Sequence, residues 1–266
     1  MRAEPSIARA FQARAEVGQA ALVPYVCAGF PTAEESLHLM RAAAEAGADV
    51  IELGIPFSDP MADGPTIQAA TFAALEQGMT VRGALDLLAE FRSTHDTPVV
   101  IFTYLNPVHR FGLDAFVRTA REAGAQGLLL TDLPAGADAD LEETVRSGGL
   151  DLIRLLAPTT SPKRASDVAR GASGFVYYIS RTGVTGARTE LREGLAREVE
   201  ALRERVELPI AVGFGISSPE QAAAVAAVAD GVVVGSALLD VASEGGVEAA
   251  GRFLRSLRKA MDAPRT

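Results

Sequence analysis

The sequence predicts an α/β fold, a (β/α)8 TIM barrel with an extra N-terminal helix, and three observations carry that reading. One unit recurs: a helical stretch ends in a small-residue turn and a short apolar run follows, as in EAGADVIELG (45–54), EAGAQGLLLTD (122–132) and AAVADGVVVGS (226–236). With the runs at 21–27, 98–104, 150–157, 174–180 and 208–214 there are eight such stretches. They are apolar on both alternations, as strands covered on both faces must be. Helical patterns at 34–46, 80–95, 113–123, 137–147, 190–205 and 218–229 lie between them. Eight strands alternating with helices over about 250 residues is the arithmetic of this barrel. A doubly wound open sheet is the alternative, but its Gly-rich turn belongs after the first strand, and CAGFPT lacks the G-x-G-x-x-G spacing.

Taken in order, residues 4–18 read as the extra helix, closing the bottom of the barrel with Ile7, Phe11 and Val17. Pro65 restarts a helix at its first turn after an aperiodic stretch at 54–64. Ser218-Pro-Glu-Gln221 reads as a capping box. Residues 243–249 (SEGGVEA) form the one soft segment before the last helix, so residues 1–266 are expected to be a single domain.

Composition narrows the function classes. The 266 residues are 48% hydrophobic and 22% charged, an ordinary globular balance. A net charge of −9 argues against nucleic acid or an anionic membrane as the main partner. The single cysteine, Cys27, rules out an intrachain disulfide and fits a reducing cytoplasm, where the protein is expected to work. The longest apolar stretch, 222–229, is too short to span a bilayer, and the N-terminus has no apolar signal-like core.

In such a barrel the chemistry sits on loops after the C-terminal strand ends. Glu52 falls inside the strand run IELG, where a carboxylate is costly unless it is paired, protonated or used. Asp63 follows at the far end of a rigid loop, so two acids can address one ligand from two sides, whereas Asp59 alone reads as loop chemistry. Late in the chain, small-residue turns follow strands six, seven and eight: GVTG (183–186), GFGISSPEQ (213–221) and VVGSAL (233–238). Glycine lets backbone approach an anion, and a phosphate held after strands seven and eight is a recurrent barrel device. Apolar residues at strand ends, Tyr25, Phe102, Leu129, Tyr177 and Phe214, suggest a cavity beside it.

What is missing also matters. The chain has two lysines, Lys163 at a helix start and Lys259 in the last helix, so no lysine at a strand end offers a Schiff base. His38 and His95 fall in helical patterns and His109 in a loop, without ligand spacing, so no metal is expected. Cys27 reads as a small core residue. The residues alone point to a phosphorylated organic molecule handled by carboxylates.

The stretch IELGIPFSDPMADGPTIQ (51–68) is close to a family signature, and YLNPVHRFG (104–112), TDLP (131–134), SRTGVTGAR (180–188), GFGIS (213–217) and VGSAL (234–238) match in order. By these the chain resembles the alpha chain of tryptophan synthase over nearly its whole length. The resemblance implies a lyase that cleaves indole-3-glycerol phosphate to indole and glyceraldehyde 3-phosphate, a retro-aldol step in tryptophan biosynthesis. It implies Glu52 as general acid–base, Asp63 as partner of the indole N–H and Tyr177 near the glycerol. It implies Tyr25, Phe102, Leu129 and Phe214 around the indole, and Gly186, Gly215, Gly235 and Ser236 at the phosphate. It further implies a beta chain that carries pyridoxal phosphate, an alpha2-beta2 heterotetramer, no cofactor in this chain, and loops 54–64 and 181–194 as contact and closing elements. A free-standing indole-releasing lyase, a catalytically weak activator of the beta chain, and another phosphate-sugar barrel enzyme stand as alternatives. The Glu52–Asp63 pair argues against the activator, and the absence of clustered histidines against a metal-dependent epimerase.

Overall fold

The computed structural model describes residues 6–179, 188–213 and 215–262. Eight strands close a parallel barrel in sequence order, β1 (Ala21–Cys27), β2 (Ile51–Gly54), β3 (Val99–Thr103), β4 (Gly127–Leu130), β5 (Asp151–Leu156), β6 (Val176–Ile179), β7 (Ile210–Gly213) and β8 (Gly231–Val234), with β8 paired back onto β1. The helices are α1 (Ile7–Glu16), α2 (Ala33–Glu45), α3 (Pro65–Glu76), α4 (Val81–Arg92), α5 (Leu105–Phe111), α6 (Leu113–Glu122), α7 (Ala139–Ser147), α8 (Pro162–Arg170), α9 (Arg188–Arg203), α10 (Pro219–Ala226) and α11 (Ser236–Met261). The fold is the (β/α)8 barrel that the recurring unit predicts, with α1 as the extra helix.

Alternation along each strand explains why the runs had to be apolar throughout. Val23, Val50, Val100, Leu129, Ile153 and Val233 share the cluster inside the barrel. Their neighbours Leu22, Ile51, Ile101, Leu128 and Leu152 belong to the cluster under the helices. Each such side chain, fully buried, contributes about 1.5–3 kcal/mol.

The bottom of the barrel is closed by α1. Ile7 and Phe11 are buried, and Phe11 packs on Phe175 with ring centroids 5.2 Å apart. Two barrel glycines make the space: a Cβ on Gly127 would stand 2.9 Å from Ile7 Cδ1, and one on Gly231 2.9 Å from Phe11 Cε1. Arg258 of α11 ties the plug in place. It donates to Asp49 (3.1 Å) and to the Ala20 carbonyl (3.0 Å), while Asp49 accepts from Arg14 (2.6 Å) and from the Leu22 N–H (2.8 Å).

Local expectations hold where a cap or a proline speaks. Pro65 opens α3, and Ser218 and Gln221 form the capping box of α10. Three expectations need correction. Val17 is 64% exposed, because α1 has already ended at Glu16 and Val17 caps it. The soft segment 243–249 does not precede the last helix but lies within α11, whose two helical stretches meet at a kink at Gly246, with φ 72°. His109 lies on α5, an exposed helical residue instead of a loop histidine.

Candidate active site

Glu52 stands on the inward face of β2, between Tyr25 of β1 and Val100 of β3 in register. It is 1% exposed, and its Oε1 has no hydrogen-bond partner. Burial therefore pushes its carboxyl from 4.5 up to about 8, because nothing nearby compensates the charge. Asp63 comes from the loop joining β2 to α3 and is half-buried. Burial raises its carboxyl from 3.8 to about 6, and the hydrogen bond it accepts from the Tyr104 hydroxyl (3.0 Å) limits the rise. At pH 7 the first acid is mostly protonated and the second mostly ionised. Two like groups whose surroundings push their affinities apart are the mark of divided acid and acceptor roles.

Other chosen residues gather at the same mouth. Burial holds the Tyr25 and Tyr177 hydroxyls well above the usual phenol range, and repulsion from both acids adds to it. Each phenol needs a glycine. A Cβ on Gly54 would stand 2.0 Å from the Tyr25 hydroxyl, and one on Gly213 2.3 Å from that of Tyr177. Phe102 meets Tyr25 edge-on at 5.4 Å, and Leu129 sits beside Phe102 in register, fully buried. Gly215, at φ +70°, lies just past β7. Gly235 caps α11 with no side-chain hydrogen bond, and Ser236 is that helix's first residue. Gly186 and Phe214 lie outside the described residues. Asp59 is exposed and bonded by Ser58 (2.6 Å), apart from the acid pair.

Sequence reasoning gave no role to Tyr104, although it stood in a quoted motif. Its hydroxyl accepts from the Ala62 N–H (3.0 Å) and donates to Asp63, while its ring leans on Phe57 at 5.2 Å. Gln68 was passed over too; it holds the same loop by donating to the Asp63 carbonyl (2.9 Å) and the Pro60 carbonyl (3.3 Å). The available signal was position: a hydroxyl-bearing aromatic at the end of β3, next to a loop with two aspartates. Among the described residues no group of three or more His, Cys, Asp and Glu side chains could hold a metal ion. Cys27 is buried at the end of β1, as a core residue would be.

A barrel end with a buried acid poised to hold a proton, a second carboxyl more readily ionised and a helix start without a side-chain cap can protonate a carbon, take a proton from a hydroxyl and hold an anion. The family model of the tryptophan synthase alpha chain matches residues 11–261. The chain belongs to the tryptophan synthase alpha chain family. Solved relatives agree over the full length. The tryptophan synthase subunit alpha of Legionella pneumophila str. Paris is 38% identical, with a TM-score of 0.90, 98% of this chain and 100% of that one covered. A tryptophan synthase structure from Mycobacterium tuberculosis is 37% identical, with a TM-score of 0.89 and the same coverage of 98% and 100%. A chain from Aquifex aeolicus VF5 is 36% identical, with a TM-score of 0.89, covering 96% of this chain and 98% of that one. The reaction of the tryptophan synthase alpha chain is cleavage of indole-3-glycerol phosphate to indole and glyceraldehyde 3-phosphate in tryptophan biosynthesis, and this chain is a lyase of that kind.

Proposed function

We propose that Glu52 and Asp63 carry out this cleavage between them, and that the whole chain works as one barrel domain. The Glu52 carboxyl gives its proton to C3 of the indole ring. The bond from C3 to the hydroxyl-bearing glycerol carbon breaks, and the hydroxyl proton passes to the Glu52 carboxylate as the aldehyde forms. The enzyme ends the step in the state in which it began. Asp63, ionised, accepts from the ring N–H and stabilises the positive charge that grows there. The observation that carries this reading is a buried carboxyl at Glu52, whose Oε1 has no partner, in one mouth with a half-buried, hydrogen-bonded carboxyl at Asp63.

Tyr25, Phe102, Leu129 and Phe214 surround the indole in this reading, and Tyr177 stands on the glycerol side. Gly186, Gly215, Gly235 and Ser236 take the phosphate. The uncapped start of α11 supports that assignment, since a Cβ on Gly235 would meet nothing nearer than 3.6 Å and the helix dipole favours an anion there. The chain needs no cofactor of its own; pyridoxal phosphate belongs to the beta chain. Lys163 on α8 and Lys259 near the end of α11 offer no amine at the site. Indole passes to a beta chain in an alpha2-beta2 heterotetramer in the cytoplasm. Beside the 54–64 loop, a groove lined by Phe57, Met79, Asn106, Pro107 and Arg110 supports that loop as the contact element. No helix among the described residues is long and apolar enough to cross a membrane.

The test is turnover of indole-3-glycerol phosphate by the purified chain and by Glu52→Gln. The variant should fold, bind substrate and keep less than about a tenth of the rate, a loss above ~1.4 kcal/mol in barrier. A variant that keeps more would take the acid–base role from Glu52.

A further inference from the structure

Glu52 is almost dry, and a phenol ring stands beside it. Tyr25 is its register neighbour on β1, and the Tyr25 ring slants toward the end of β2, where its hydroxyl occupies the space a side chain at Gly54 would fill. Gly54 lies two residues beyond Glu52 on the same inward face, so the ring extends past the position of Glu52 toward the mouth end of β2. Phe102, the register partner of Gly54 on β3, braces that ring edge-on at 5.4 Å. Tyr25 is 5% exposed and Glu52 1%.

We propose that Tyr25 is a positioning residue for Glu52: locked between Gly54 and Phe102, its ring keeps water off the carboxyl along the β1–β2 flank and so holds Glu52 in its proton-donating form. This rests on the acid–base assignment made above for Glu52. The ring provides the cover and the hydroxyl does not, since no hydrogen bond joins Tyr25 to Glu52 and burial is the named cause of the carboxyl's rise. The other titratable groups that face this region are Cys27 on β1, Asp63 and Tyr104 around the loop after β2, and Tyr177 on β6. Cys27 and the three tyrosines other than Tyr178 are held neutral at pH 7, with the thiol pushed up to about 12 and the phenols higher than usual. Asp63 is the one group of this set that changes charge near neutrality, and it is unchanged in every variant of the titration below.

The experiment is a carboxyl carbon-13 NMR titration of the full chain, with the Glu52 signal identified by its loss in Glu52→Gln. The wild-type signal should titrate near pH 8. Tyr25→Ala should lower the midpoint by about one unit or more, as water reaches the charged form. Tyr25→Phe, which keeps the ring, should stay within about 0.3 units. Gly54→Ala keeps the tyrosine in the sequence but puts a Cβ where its hydroxyl lies, so it should displace the ring and shift the midpoint in the same direction as Tyr25→Ala; it keeps the test open should the latter not fold. The falling limb of the lyase pH profile should move with the midpoint in each case. A midpoint in Tyr25→Ala or Gly54→Ala equal to wild type, or one in Tyr25→Phe as low as in Tyr25→Ala, would overturn the proposal. Lyase loss in Glu52→Gln bears on the acid–base assignment, whereas the titration reads the cover directly, so the two failures are distinguishable.

Discussion

Glu52 and Asp63 are both carboxyls, and their surroundings separate them. Asp63→Asn keeps the shape and removes the charge; a charged hydrogen bond is worth roughly 1.5–3 kcal/mol, so the isolated chain should slow about ten- to a hundredfold. Asp59→Asn, at an exposed loop crest, should leave the isolated chain nearly unchanged and weaken its activation by a beta chain. Lyase rates of both variants, alone and with saturating partner, decide this; equal losses without partner would contradict it. A second consequence concerns stability. Because folding raises the Glu52 carboxyl from 4.5 to about 8, the folded chain binds more protons than the unfolded one across that interval, so this group's contribution falls as pH rises through it. Glu52→Gln should therefore gain in melting temperature over wild type on going from pH 5 to pH 8. A constant difference across that range would mean that the carboxyl is not held out of water. Glu52 was legible in the sequence because an acid between Ile51 and Leu53 has no structural excuse. Tyr104 was not, because its value lies in contacts across 41 and 42 positions of sequence, to Asp63 and to Ala62, which no local pattern carries.

At the scale of elements, α10 and α11 both start after small-residue turns but are capped differently. Ser218 and Gln221 satisfy the first N–H groups of α10, whereas α11 opens at Gly235 with no side-chain cap. The proposed phosphate site therefore falls at the start of α11. A glycerol phosphate analogue should raise the melting temperature of the chain, since a ligand that binds the folded state stabilises it. Gly235→Asp places a carboxylate at that helix start and should abolish the rise; an undiminished rise would move the phosphate elsewhere. Strands and most helices were readable because period and caps are local signals. The short α5 was not, since its seven residues include Pro107 and are too few to show a helical period. The soft segment SEGGVEA was placed before the last helix, whereas the break is a single residue within α11, Gly246 at positive φ, where two helical stretches meet.

The molecule as a whole is a barrel whose bottom is plugged and whose mouth is left to chemistry. Ile7, Phe11 and the Arg258–Asp49 contact close one end, and the inward-facing residues of successive strands fill the middle. What remains open is the end where Glu52, Asp63 and the phenols of Tyr25 and Tyr177 meet. The closed topology brings positions 25, 52 and 177 to one place, a juxtaposition that strand counting foresees but that no motif states. The central claim is that this mouth works with one protonated and one ionised carboxyl. Its most direct test is kcat/KM for indole-3-glycerol phosphate cleavage by the isolated chain across pH 5 to 10, in wild type and in Asp63→Asn. Activity should rise through about 6 as Asp63 ionises and fall through about 8 as Glu52 loses its proton. The rising limb should flatten in Asp63→Asn while the falling limb stays. A wild-type rate that keeps climbing through pH 8, or a rising limb unchanged in Asp63→Asn, would contradict the account.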